Sequence, residues 1–270
     1  MAGCGPGNGG FSQAEDKFGI TYYLDGAGNW GFGVADVPAG LKNAGYKGRV
    51  ENFMWTSSFN PAIDQINRPA NNLRAALLAD KISNYLKKHP ENDVNLIALS
   101  AGTGIATWAV ENVKAPCKVN NMVLLGSSLS YNYDMTRALE NMKGCVYVYY
   151  SRYDSVLEGP VKALGTVDGK IGTDAAGLVG LRPPRGGGAR IKNYGWSRNY
   201  LKYGWSGSHT DCTSQAFVRA VLARHIVDTM RRYPGPPDAP KGTRTAPPRA
   251  DADPLPRQAG PQPVCLRSPD

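Results

Sequence analysis

Histidine is scarce in this chain, with three in 270 residues, so any imidazole chemistry falls to His89, His209 or His225. Cysteine is hardly more frequent: five residues, at 4, 117, 145, 212 and 265, with no C-x-x-C pair. That spacing excludes a zinc ribbon or a thioredoxin-like redox site. A disulfide between Cys117 and Cys145, each just before a predicted strand, is conceivable but cannot be deduced. No apolar run approaches the roughly 20 residues of a membrane-spanning helix. Net charge is +9, from 31 Lys and Arg against 22 Asp and Glu, yet no basic run of five occurs. Dispersed positive charge gives mild affinity for anionic surfaces without a dedicated site, so no nucleic-acid partner is expected. Neither a G-x-G-x-x-G spacing nor a Walker lysine is present, which excludes a nucleotide cradle. There is no internal repeat.

The length suits one large α/β domain or two small ones, and 41% hydrophobic residues with a mean hydropathy of −0.37 suit a soluble globular chain. Residues 1–17 read as a flexible Gly-rich segment, opening MAGCGPGNGG. Ala-Gly-Cys-Gly is like the end of a bacterial lipoprotein signal. If an upstream signal is missing, Cys4 carries a lipid anchor and the chain is an extracytoplasmic, membrane-anchored lipoprotein; otherwise it is cytoplasmic. From Pro234 to Asp270, eleven of 37 residues are proline and few are large and apolar. Such a segment buries too little surface to offset its ordering entropy, so 233–270 is read as a disordered tail.

Between 18 and 232 strand and helix patterns alternate. Strand candidates are 20–24, 49–55, 94–100, 121–127, 145–151 and 189–194. Helical patterns cover 30–44 weakly, then 70–88, 102–113 and 135–142. In 70–88 the apolar positions are Leu73, Leu77, Ile82, Tyr85 and Leu86. A long final helix spans 214–233, with Val218, Val221, Leu222, Ile226 and Met230 on one face. A glycine-rich stretch, 155–188, has no clear element. This alternation predicts an α/β fold: a mostly parallel sheet of about six strands with helices on both faces.

The chemistry-bearing stretch is NLIALSAGTG, 95–104. An apolar strand runs into Ser100 at the start of a helical pattern, with small Ala98 and Gly102 two residues to either side. A serine on a sharp strand-to-helix turn needs that room, because the strained backbone brings those neighbours against adjacent elements. The alternative is a buried strand end whose serine caps the next helix. A serine nucleophile needs a base, and the base needs an acid to fix its tautomer. His89 sits at a helix end before Pro90, and His225 lies inside the final helix. His209, in the loop GWSGSHTDCTS, is favoured, because loops beyond strand ends collect catalytic groups. Asp154, four residues past the apolar run CVYVYY, is the favoured acid, with Asp134 its competitor.

The order Ser100, Asp154, His209, each past a strand, together with this turn and the alternation over 18–232, resembles the α/β-hydrolase superfamily of serine esterases and lipases. The resemblance implies an oxyanion hole formed by the N–H of Ala101 and one from the loop LDGAGNWGFG, where Ala27 is the choice. It implies cleavage of a small-molecule ester or acyl substrate through an acyl-enzyme, with no metal or organic cofactor. The superfamily's two leading strands are missing, and the segment between the strand after Ser100 and Asp154 is too short for the usual lid, so soluble or exposed substrates are expected; the compensating elaboration is 155–208. Tyr194, Trp196, Tyr200, Tyr203 and Trp205 either wall a cleft or fill a core. The competing reading is a catalytically inactive domain of the same fold that binds a ligand or partner, tethered through Cys4.

Overall fold

The computed structural model describes residues 16–56 and 58–231, with side chains through 227. Cys4, the tail 233–270, Met230 and the leader apart from Asp16 and Lys17 lie outside these described parts.

Six strands form one sheet: β1 (Ile20–Leu24), β2 (Arg49–Asn52), β3 (Val94–Leu99), β4 (Met122–Leu125), β5 (Val146–Tyr150) and β6 (Ile191–Gly195). Their order is β2-β1-β3-β4-β5-β6, and every pairing is parallel. The strands are shorter than their apolar runs suggest. β2 stops at Asn52, whose side chain turns to donate to the Val34 carbonyl.

A parallel sheet is covered on both faces by its crossovers, so its strands carry apolar residues in both directions. Tyr22, Leu24, Leu96, Ala98, Leu124, Val146 and Val148 point to one face. There they pack against α3 (Arg68–Lys88), α4 (Gly102–Glu111) and α5 (Thr136–Glu140). Tyr23, Ile97, Leu99, Val123, Leu125 and Tyr149 point to the other. That face is covered by α1 (Asp36–Asn43) and a C-terminal helical run, 215–231. The short α2 (Pro61–Ile66) precedes α3 and is capped by Asn60, whose side chain accepts from the Ala62 and Ile63 amides.

Three details depart from the sequence reading. Leu73 and Leu77 are 63% and 48% exposed. Ile82, Tyr85 and Leu86 are buried as expected, and the rest of the buried stripe of α3 is Asn71, Ala75, Leu78, Ala79 and Ser83, whose small members let α3 lie close to α4. The final helix is not uniform. Val218–Leu222 is a widened turn between Gln215–Phe217 and Arg224–Arg231. Cys117 is a free thiol, so the Cys117–Cys145 bridge is not formed.

The strand order changes direction between β1 and β3. The chain leaves β1 toward β2 on one side and β3 toward β4 on the other. In open parallel sheets the crevice at the carboxyl ends of two such strands is where ligands bind. Ala27 follows β1 and Ser100 follows β3, so both flank that crevice.

Candidate active site

Ser100 takes φ of 53°, a left-handed conformation that costs a residue with a Cβ about 1–2 kcal/mol. The surroundings over-determine it. Its N–H donates to the Leu125 carbonyl at 2.9 Å, holding it beside the end of β4. Its carbonyl accepts from the Thr103 amide at 3.0 Å and the Thr103 hydroxyl at 2.5 Å. The small neighbours are required by contact. A Cβ on Gly102 would lie 2.4 Å from the Asp25 carbonyl oxygen, and one on Gly104 would lie 2.7 Å from Val167. The alternative of a serine capping α4 is not what the helix uses, since its N-terminus has no side-chain cap.

Asp154 follows β5 and is 2% exposed. Its Oδ1 accepts the amides of Val156 and Leu157, both at 3.1 Å, which fixes the carboxylate plane. Its Oδ2 meets His209 Nδ1 at 2.6 Å. His209 is carried on a loop held from several sides. Asp211 accepts from the Ser206 hydroxyl at 2.5 Å, and Trp205 Nε1 donates to the Ser208 carbonyl at 3.2 Å. Gly126 supplies the space for the pair. A Cβ there would stand 3.2 Å from both Asp154 Oδ2 and His209 Nδ1. Because Leu125 is the residue that holds Ser100, the Asp154–His209 pair sits beside the residue next to that anchor. Among the described residues Ser100 Oγ makes no hydrogen bond to His209; such bonds are often long without substrate and tighten when it binds.

The other candidates lie elsewhere. Asp134 is exposed and caps its own turn, accepting from the Thr136 amide and hydroxyl, which lower its pKa. His89 packs against Tyr85 with the rings tilted, at the end of α3. His225 is buried against Tyr147 and Tyr149. Cys212 lies under His209, donating to its carbonyl, but burial and then the charge of Asp154 push its thiol pKa far up, so it offers no thiolate. Among the aromatics after β6, Tyr200 and Trp205 are core residues packed on Phe217. Trp196 meets the exposed Tyr153 edge-on at 5.1 Å.

The loop after β1 lies close to Ser100: a Cβ on Gly26 would be 3.3 Å from that of Ser100. Asp25 binds the loop inward through the amides of Gly26 and Gly31, both at 2.7 Å. Burial raises the Asp25 pKa and these amides oppose the rise. Among the described residues neither the Ala27 N–H nor the Ala101 N–H donates to a protein acceptor. Sequence reasoning missed Asp64. It lies on α2, is 3% exposed, and accepts the Gly28 amide at 2.8 Å. Exposed Trp30, Phe32, Met54 and Phe59 follow β1 and β2 and give that end of the sheet an apolar rim.

A parallel sheet with a left-handed serine after its central β3, an acid after β5 and a histidine before the last helical run is a minimal α/β-hydrolase-like fold. No protein family and no curated protein sequence matches the chain. Among solved structures it is similar to Aspergillus fumigatus lipase B (14% identity, TM-score 0.48), covering 80% of this chain and 54% of that one, about half the lipase's length. It is also similar to a cutinase-like protein from Cryptococcus sp. (14%, TM-score 0.42, 79% and 95% covered). A third is a thermophilic esterase from Thermogutta terrifontis (10%, TM-score 0.43, 82% of each chain). At such identities and TM-scores the likenesses carry nothing about the chemistry of the site, which rests on this chain's own residues.

Proposed function

We propose that the chain is a serine hydrolase that cleaves a carboxylic ester through an acyl-enzyme, with Ser100 as nucleophile, His209 as base and Asp154 as the acid. The observation that carries this reading is the left-handed Ser100 at the β1/β3 crevice with the Asp154–His209 hydrogen bond beside its anchor. Ser100 Oγ attacks the ester carbonyl carbon while His209 Nε2 takes its proton. Asp154 keeps the other proton on Nδ1 and stabilises the imidazolium. The N–H groups of Ala101 and Ala27 receive the negative oxygen of the tetrahedral intermediate. Collapse breaks the ester bond, and His209 returns the proton to the leaving alcohol. Water, deprotonated by His209, then releases the carboxylic acid and restores Ser100. The apolar rim suits a substrate with an apolar acyl or alcohol part.

The test is labelling with a fluorophosphonate, alongside turnover of p-nitrophenyl esters of graded acyl length. Wild type is expected to be labelled at Ser100 and to turn over at least one ester. Ser100→Ala and His209→Ala lose labelling and at least about a thousandfold in kcat, as members of such a unit do. A folded wild type that takes no label and hydrolyses no ester overturns the reading, leaving an inactive binding domain.

A further inference from the structure

Asp64, like Asp25, is a buried carboxylate near the site without a part in the proposed reaction. Removing a carboxylate from water costs several kcal/mol, offset only by good hydrogen bonds. Asp64 has three. Oδ2 accepts the Gly28 amide at 2.8 Å and the Thr56 hydroxyl, and Oδ1 accepts the Ser58 hydroxyl at 2.7 Å. Asp64 does not cap its own helix, a role filled by Asn60. Its reach is outward, 36 residues back in sequence, to the loop after β1.

That loop shows a pattern. The Gly26 amide is held by Asp25 and the Gly28 amide by Asp64, while the Ala27 N–H between them has no protein acceptor among the described residues. Gly28 takes φ of 82°, and a Cβ on it would stand 2.9 Å from Pro61 at the start of α2. At the other end of the loop, a Cβ on Gly26 would stand 3.3 Å from Ser100 Cβ. Two carboxylates therefore clamp the peptides on either side of one free donor. Hydrogen bonds to an ionised acceptor are short and stiff, which suits holding a donor where charge will develop.

We propose that Asp64 is a positioning residue for the oxyanion hole, fixing the Ala27 N–H toward Ser100 by anchoring the Gly28 peptide to α2. The proposal rests on the hydrolase reading above. Loss of the anchor lets the donor drift, which weakens the transition state and leaves substrate binding alone.

The experiment compares wild type, Asp64→Ala, Asp64→Asn and a control, Asp93→Asn. Asp93 accepts from Asn120 at the opposite end of the sheet, so its loss costs stability away from the site. Readouts are kcat and KM on a p-nitrophenyl ester, the Ki of phenylboronic acid, which forms a tetrahedral adduct on serine, and amide hydrogen exchange by NMR. Removing an oxyanion donor costs about 10²–10³ in kcat; a donor merely loosened is expected to cost roughly tenfold or more. In Asp64→Ala, kcat falls by that factor with KM within about twofold, and phenylboronic acid weakens in parallel. Asp64→Asn, which keeps one acceptor, falls between; Asp93→Asn keeps kcat. In wild type the Gly26 and Gly28 amides are protected and Ala27 exchanges fast; Asp64→Ala releases Gly28 and Asp64→Asn weakens its protection. Unchanged kcat in both Asp64 variants, a rise in KM alone, or an unprotected Gly28 in wild type overturns the proposal. If Asp64→Ala does not fold, Asp64→Asn and the wild-type exchange pattern decide. A wild type that takes no fluorophosphonate defeats the hydrolase reading itself and this proposal with it; labelled wild type with unaffected variants defeats this proposal alone.

Discussion

Ser100 and its anchors set up a conflict between presentation and stability. A left-handed serine costs about 1–2 kcal/mol, and alanine at the same φ costs the same because the penalty lies in the Cβ. Glycine escapes it but loses roughly 0.5–1 kcal/mol more backbone entropy on folding. Ser100→Gly is therefore expected to be more stable than Ser100→Ala by about 1 kcal/mol, the reverse of their ranking in a helix, while both are inactive. Urea denaturation of the two variants checks it, and equal midpoints would mean that the turn relaxes in solution. The turn at Ser100 was legible in the sequence because its constraint is local. The strand, the serine and small Ala98 and Gly102 lie within five residues, and the contact of Gly102 with Asp25 explains the spacing. Asp154 and His209, chosen by their placement after strands, meet in a hydrogen bond. Asp64 was not legible, because its partner Gly28 is brought to it only by the packing of α2 on the loop.

At the scale of elements, continuous apolar runs marked the strands well, since a doubly covered sheet needs residues such as Leu96, Ile97, Ala98 and Leu99 pointing both ways. Helix faces were less legible. Periodicity weighs large side chains, so Leu73 and Leu77 looked like core, whereas α3 buries Asn71, Ala75 and Ala79 because α4 comes close. The C-terminal run interlocks with α1 through another small residue. A Cβ on Gly40 would lie 2.6 Å from Val218 Cβ and 2.9 Å from the Gln215 carbonyl oxygen. Gly40→Ala gains about 1 kcal/mol of helix propensity. Overpacking at a backbone-backed contact costs about 1–3 kcal/mol. The contact is expected to win, lowering the urea midpoint by the equivalent of about 1 kcal/mol with an unchanged m-value. A raised midpoint would show that α1 and the C-terminal run separate without cost.

Across the whole molecule, the C-terminal run closes one face of the sheet, and it does so around a histidine. The His225 ring stacks on Tyr147 at 3.7 Å, and its Nε2 shares a hydrogen bond with the Tyr149 hydroxyl at 2.8 Å. Its carbonyl accepts from Asn121 at 2.7 Å, tying the run to the start of β4. Tyr194 stands 5.7 Å away on β6, and Arg224 precedes it in the chain. Burial and then the Arg224 charge hold the His225 pKa well below 6.5, so the folded protein keeps this ring neutral. The unfolded chain takes up a proton near its ordinary value. The stability tied to the neutral ring is thus fully present above about pH 6.5 and declines as pH falls from there toward the folded pKa, by up to about 1.4 kcal/mol per pH unit. Unfolding free energies of wild type at pH 7, 6 and 5 should fall along this course. His225→Gln, which keeps a polar group toward Tyr149 but does not titrate, should lose part of the slope whatever its stability at pH 7. Parallel slopes for the two proteins would place the acid sensitivity elsewhere, and a steeper wild-type slope would locate it where the last helical run meets β4, β5 and β6.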